Sequence, residues 1–167
     1  MTDATREREQ RADALKERIY ITFTALAVVL ALRSELAEHA SVGGAASTLA
    51  LTVVATLLAV LVADVVSHIT AHEALPTRAE LSAMLRVVVG SLAVLVLPSA
   101  FLGLAALHVW TLDGALRGAE IALIVALVAI GWIAVRRLRL PWFQRLVVLL
   151  AEAALGLAVI ALELLAH

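Results

Sequence analysis

Six polar residues of this chain fall four apart along one stretch: Thr48, Thr52, Thr56, Asp64, His68 and His72, with only Val60 breaking the series. Four residues turn an α-helix by about 400°, so on a helix they form one slanted ridge. Hydroxyls occupy one half of it. A carboxylate and two imidazoles occupy the other. Two chemistries fit. In one, the ridge is a polar lane for protons or a monovalent cation. Asp64 and His68 relay protons, since imidazole titrates near neutral pH, and Thr52 and Thr56 supply hydroxyl ligands. In the other, the threonines bond back to their own helix, and His68 and His72 sit among lipid headgroups. The two histidines also have the i, i+4 spacing of a metal pair, with Asp64 or Glu73 as a third ligand. That spacing arises readily by chance, and no metal or other cofactor is assigned from it.

Glu152 is the other deep group. It follows Arg145 by seven residues, about 10 Å of helix, which places it well inside an apolar run. A bare carboxylate there costs several kcal/mol, so it must face protein or water, or hold a proton. It is either an ion- or proton-binding group or a hydrogen-bonded strut between helices. Glu120 can pair with Arg117 one turn earlier. Asp113 can pair with Arg117 from the other side. Arg33 and Glu35 are expected to reach out to the interface.

These groups sit in a chain of 167 residues that is 63% hydrophobic, with a mean hydropathy of +1.01. A globule of this size still exposes about a third of what its unfolded chain exposes, so it could not hide so much apolar surface from water. The expected solvent is lipid. The expected fold is all-α: a polytopic membrane protein with transmembrane helices over roughly 19–32, 45–67, 85–107, 121–135 and 146–165, preceded by a charged cytosolic helical tail, 1–18. A hydrocarbon core of about 30 Å needs about 20 helical residues. The first and fourth runs hold only 14 and 15 consecutive uncharged residues. Each needs flanking bases to snorkel: Lys16, Arg18 and Arg33, or Arg117 and Arg136.

Charge counting supports the short first run. With five crossings, eleven of the thirteen basic residues share one side and only Arg33 and Arg117 face the other. If the first run lay flat on the surface, the split would be seven against six. The positive-inside rule therefore favours five crossings, N-terminus in the cytoplasm and C-terminus outside. The opening segment is too acidic for a cleaved signal peptide.

Local signals punctuate the runs. Ser41-Val42-Gly43-Gly44 reads as a flexible turn. Thr77-Arg78-Ala79-Glu80 is a capping box that starts a helix. Pro98 removes a backbone hydrogen bond within that helix and is expected to kink it. Thr111 or Asp113 can cap the next one. Gly114 and Gly118, four apart, suit close helix packing. The chain has no cysteine, which excludes disulfides and thiolate metal sites. It shows no Gly-rich phosphate loop and no basic–aromatic surface for nucleic acid. No nucleophile–base set converges at one depth, so an enzyme is not expected.

The segments ERIYITFTALAVVLAL, ADVVSHITAHE and LGLAVIALELLAH resemble a group of small, uncharacterised integral membrane proteins of actinobacteria. The likeness implies a bacterial inner-membrane location and a histidine near the inner end of the second helix, matched here by His68. It implies no activity. Two functions remain open. One is a small channel or transporter for protons or monovalent cations, using Thr52, Thr56, Asp64, His68, His72 and Glu152. The other is a non-transporting scaffold or accessory subunit that binds a partner protein or lipid. Arg136, Arg137 and Arg139 suit anionic headgroups. A homo-oligomer would give the polar ridge and Glu152 partners. Reporter fusions at the two termini are expected to find the N-terminus in the cytoplasm and the C-terminus outside. Both on one face would overturn the five-crossing reading.

Overall fold

The computed structural model describes residues 3–35 and 41–136, with isolated helical positions between 143 and 161. The described residues form α-helices: α1 (Asp3–Glu35), α2 (Val42–His72), α3 (Arg78–Ser91), α4 (Val96–Ala106) and α5 (Leu112–Arg136). A 3-10 turn, Leu92–Leu95, joins α3 to α4, so the two make one bent rod.

Among the described residues three rods are long and apolar enough to cross a membrane: α2, the α3–α4 rod, and α5 over Leu112–Ala134. Only 17%, 22% and 28% of their most apolar stretches are buried. Leu51, Leu58, Val62, Val96, Ile121 and Val125 all point outward. An exterior this apolar is what lipid, not water, tolerates. The three rods match the second, third and fourth apolar runs. The first run is not a fourth rod of that kind, because any 18 residues of α1 include at least three charged side chains. The charged opening segment and the first run share one unbroken helix. The fifth run lies almost wholly outside the described residues.

α1 packs against α5, α2 and α3 and forms the centre of the bundle. Its Ile21, Ala25, Leu26 and Val29 are fully buried. They meet Ala45, Leu49, Val53 and Leu57 of α2 and Leu116, Ala119 and Leu123 of α5 in one core. The alanines let the backbones approach closely, which favours helix association in lipid, where apolar burial alone gives little driving force. The buried row of α2 runs one position after the threonine row. The hydroxyl ridge therefore lies beside the packing seam, not in it.

Capping fixes the helix ends. Ser41 is not part of a loose turn: its hydroxyl accepts from Gly44 N–H at 3.0 Å, and α2 starts at Val42. Thr77 and Glu80 form the full capping box, with Glu80 Oε2 accepting from Thr77 N–H at 2.8 Å. Thr111, not Asp113, caps α5 by accepting from Gly114 N–H at 3.1 Å. Pro98 is buried three residues after the end of the irregular stretch, and its missing N–H accounts for the loss of regular α geometry there. Glu73 (φ 51°) and His108 (φ 60°) close α2 and α4 in the left-handed region, a conformation costing a residue with a Cβ roughly 1–2 kcal/mol.

Gly118 is the tight contact of the glycine pair. A Cβ there would stand 3.0 Å from the Phe101 ring and 3.1 Å from Trp110, which stack on each other with centroids 5.4 Å apart. Gly103 meets nothing within 4 Å. Gly118→Ala is therefore expected to destabilise by about 1–3 kcal/mol through overpacking. Gly103→Ala should be neutral or gain up to about 1 kcal/mol of helix propensity. Denaturant unfolding in detergent reads both.

Candidate functional site

Polar side chains gather at two ends of the bundle. At the end where α2 stops and α3 begins, three helices contribute. α1 brings Asp13, Lys16 and Glu17, α2 brings Asp64 and His68, and α3 brings Glu80, while Ser91, at the far end of α3, stands beside Glu17. Asp64 is half-buried and feels Lys16, Asp13 and Glu17 of α1. One turn on, His68 turns to α3, its Nε2 3.7 Å from Glu80 Oε2. The ridge thus divides between two neighbours.

The histidines stack on each other, rings 4.4 Å apart and 20° from parallel, and His72 Nδ1 lies 3.2 Å from the His68 carbonyl. Stacked faces do not aim two nitrogens at one point. Among the described residues no three His, Asp or Glu side chains converge as metal ligands would. Thr56 donates to the Thr52 carbonyl at 2.8 Å, so this hydroxyl proton is spent on its own helix. Thr52 and Thr56 are half-buried, whereas Thr48 and His72 are exposed. Glu152 lies outside the described residues, as do Arg137 and Arg139. Arg136 ends α5.

Glu17 falls in the segment expected to be a charged cytosolic helical tail, 1–18. It is only 5% exposed, and its Oε1 is buried with no hydrogen-bond partner. Burial first, then the negative charge of Asp64, pushes its carboxyl above the usual glutamate range, while Lys16 and Ser91 pull the other way. The signal was in the sequence. Glu17 extends the four-residue series Ile21, Ala25, Val29 by one turn, so any packing of that row buries it.

The opposite end is built around Arg33. Its Nη1 donates to Glu120 Oε2, joining α1 to α5. Asp113 Oδ2 lies 2.9 Å from Arg117 Nε, and its Oδ1 is 3.8 Å from Arg33 Nε. Glu120 thus pairs with Arg33 instead of the expected Arg117. Arg33, in the last turn of α1, is held by Glu120 and approached by Asp113 of α5. The reason is geometric: Arg33 ends the same buried row that Glu17 begins, whereas Arg117 points off the exposed flank of α5. Sequence spacing along one helix could not reveal a partner on another.

No protein-family model, curated protein or solved structure matches this chain.

Arg33→Gln is expected to cost about 2–3 kcal/mol, somewhat below the 3–5 kcal/mol typical of breaking a fully buried pair. Arg117→Gln, in an exposed pair, should cost less than about 1 kcal/mol. Combining Arg33→Gln with Glu120→Gln should recover part of the first loss. A double-mutant cycle by unfolding in detergent measures all three.

Proposed function

We propose that this chain is a small multi-pass protein of a bacterial cytoplasmic membrane that passes protons or monovalent cations. In this reading it crosses five times, with the N-terminus in the cytoplasm. The cluster of Asp64, His68, Glu17 and Glu80 then lies at the cytoplasmic end, where basic residues concentrate. One observation carries the functional reading. Carboxylates from two helices meet at this end, one of them almost wholly buried, in a bundle whose exterior is apolar. Ionisable groups kept at such a place are costly and mark ion or proton pathways more often than they serve packing. Exposed Glu80 offers an entry from solvent, with the largely covered His68 beside it. Asp64 follows one turn further in, and the half-buried Thr56 and Thr52 continue along the same face of α2. A homo-oligomer would cover that face and give Glu152 a partner. Arg136, Arg137 and Arg139 then meet anionic headgroups.

A scaffold role is the second reading, and one contact favours it. The Thr56 hydroxyl gives its proton to its own helix backbone, as a threonine with a packing role does. The two readings separate in reconstituted liposomes. Transport predicts that a pH or potassium gradient collapses through the wild type and that Asp64→Asn slows this about tenfold or more. No flux through the wild type, or equal flux in the variant, sinks the transport reading and leaves the scaffold.

A further inference from the structure

Glu17, Asp64 and Ser91 bring oxygens together without enough protons to bridge them. The Ser91 hydroxyl faces the Glu17 carboxyl, yet at 3.0 Å it donates to the Val87 carbonyl of its own helix. A hydroxyl has one proton to give. The Glu17 Oε1 is left without a donor in a site that is 5% exposed, and Ser91 is 2% exposed. Asp64 adds a second carboxylate from α2. An unpaired buried oxygen and two like charges in one place are each unfavourable, and both are relieved by one positive species. A proton does this with the groups present. An alkali ion needs a fuller oxygen cage than two carboxylates and one hydroxyl provide.

We infer that Glu17, Asp64 and Ser91 form a proton-binding site, in which Glu17 carries one exchangeable proton that screens it from Asp64. The inference rests on the proposed transport of protons or cations only for its purpose; it names the proton as ligand and Glu17 as its holder. Binding balances simply: a proton from water adds to a carboxylate oxygen of Glu17, and the pair loses one negative charge.

The surrounding charges are few. On α1 they are Asp13, Lys16 and Arg18, whose guanidinium lies 3.9 Å from where a Cβ on Gly90 would stand. α2 contributes Asp64 and, further along, His68 and His72. α3 carries Arg78, Glu80 and Arg86. The 3-10 turn and α4 hold no ionisable side chain, and α5 holds none between Glu120 and Arg136. Lys16 is exposed and stands at the rim. The raised position of the Glu17 carboxyl agrees with this census.

The folded state then holds this proton more tightly than the unfolded chain does. The stability linked to it is full below the ordinary glutamate range and is lost as pH rises through the raised value. Infrared titration of the full chain in liposomes tests the site through the carbonyl stretch of a protonated carboxyl. Expected are a band with a midpoint above that of an exposed glutamate, its absence in Glu17→Gln, and a lower midpoint in Asp64→Asn, which removes the like charge. Glu17→Gln should also flatten the loss of thermal stability with rising pH. A band that survives Glu17→Gln, a midpoint unmoved by Asp64→Asn, or a band displaced by sodium at fixed pH overturns the site. If Glu17→Gln does not fold, the Asp64→Asn midpoint and the sodium arm decide alone. A wild type that shows no such band but carries liposome flux removes this site but not transport. The band without flux does the reverse.

Discussion

The bundle depends on one row of α1. Glu17, Ile21, Ala25, Val29 and Arg33 follow at four-residue spacing. The three apolar members are fully buried, and the two charged ones close the row at either end. Glu17 and Arg33 are also the residues whose buried side-chain atoms lack a hydrogen-bond partner among the described residues. The row spans sixteen residues, about 24 Å of helix, close to the thickness of a hydrocarbon core. Sliding α1 by one turn would move a charge into the apolar middle and withdraw Arg33 from Glu120. The register of the central helix is thus set by its two ends, while the small apolar residues between them set how near its neighbours come.

This placement explains why α1 does not look like a crossing helix. A helix surrounded by lipid must be apolar on every side and long enough to span. A helix surrounded by other helices need only be apolar where they touch it, and its charges can be met by protein groups. α1 packs against α5, α2 and α3 along its buried row, while Tyr20, Ala27 and Ala31 stay exposed on another side. The outer rods carry the opposite pattern. Their exposed sides are mostly apolar, with Thr48 and Thr70 of α2 and Arg117 of α5 among the exceptions.

The same distinction decides what could be read without coordinates. Long apolar runs bounded by caps gave α2, the α3–α4 rod and α5, because lipid exposure imposes a simple rule on composition. The capping box at Thr77, the irregular turn near Pro98 and the Asp113–Arg117 pair are local and were equally legible. The partners across helices were not. Asp64 and His68 look like one relay on a helical wheel, yet they face different neighbours. Glu17 reads as a solvated charge until α1 is known to be the centre. Spacing within a helix identifies a face but is silent on what covers it.

Ser91 links the polar site to the bend in the α3–α4 rod. It is the last residue of α3, and the 3-10 turn begins at the next residue. Tighter winding there changes the rotation per residue, so the faces of α3 and α4 are offset from those of a straight helix. That offset lets α3 turn Ser91 to α1 while α4, beyond Pro98, turns Phe101 to the Gly118 surface of α5. One straight helix would have to present both side chains at its own fixed spacing. The proline thus reconciles two packing demands on a single rod: an acidic site beside α1 at the bend and a close aromatic contact with α5 beyond it.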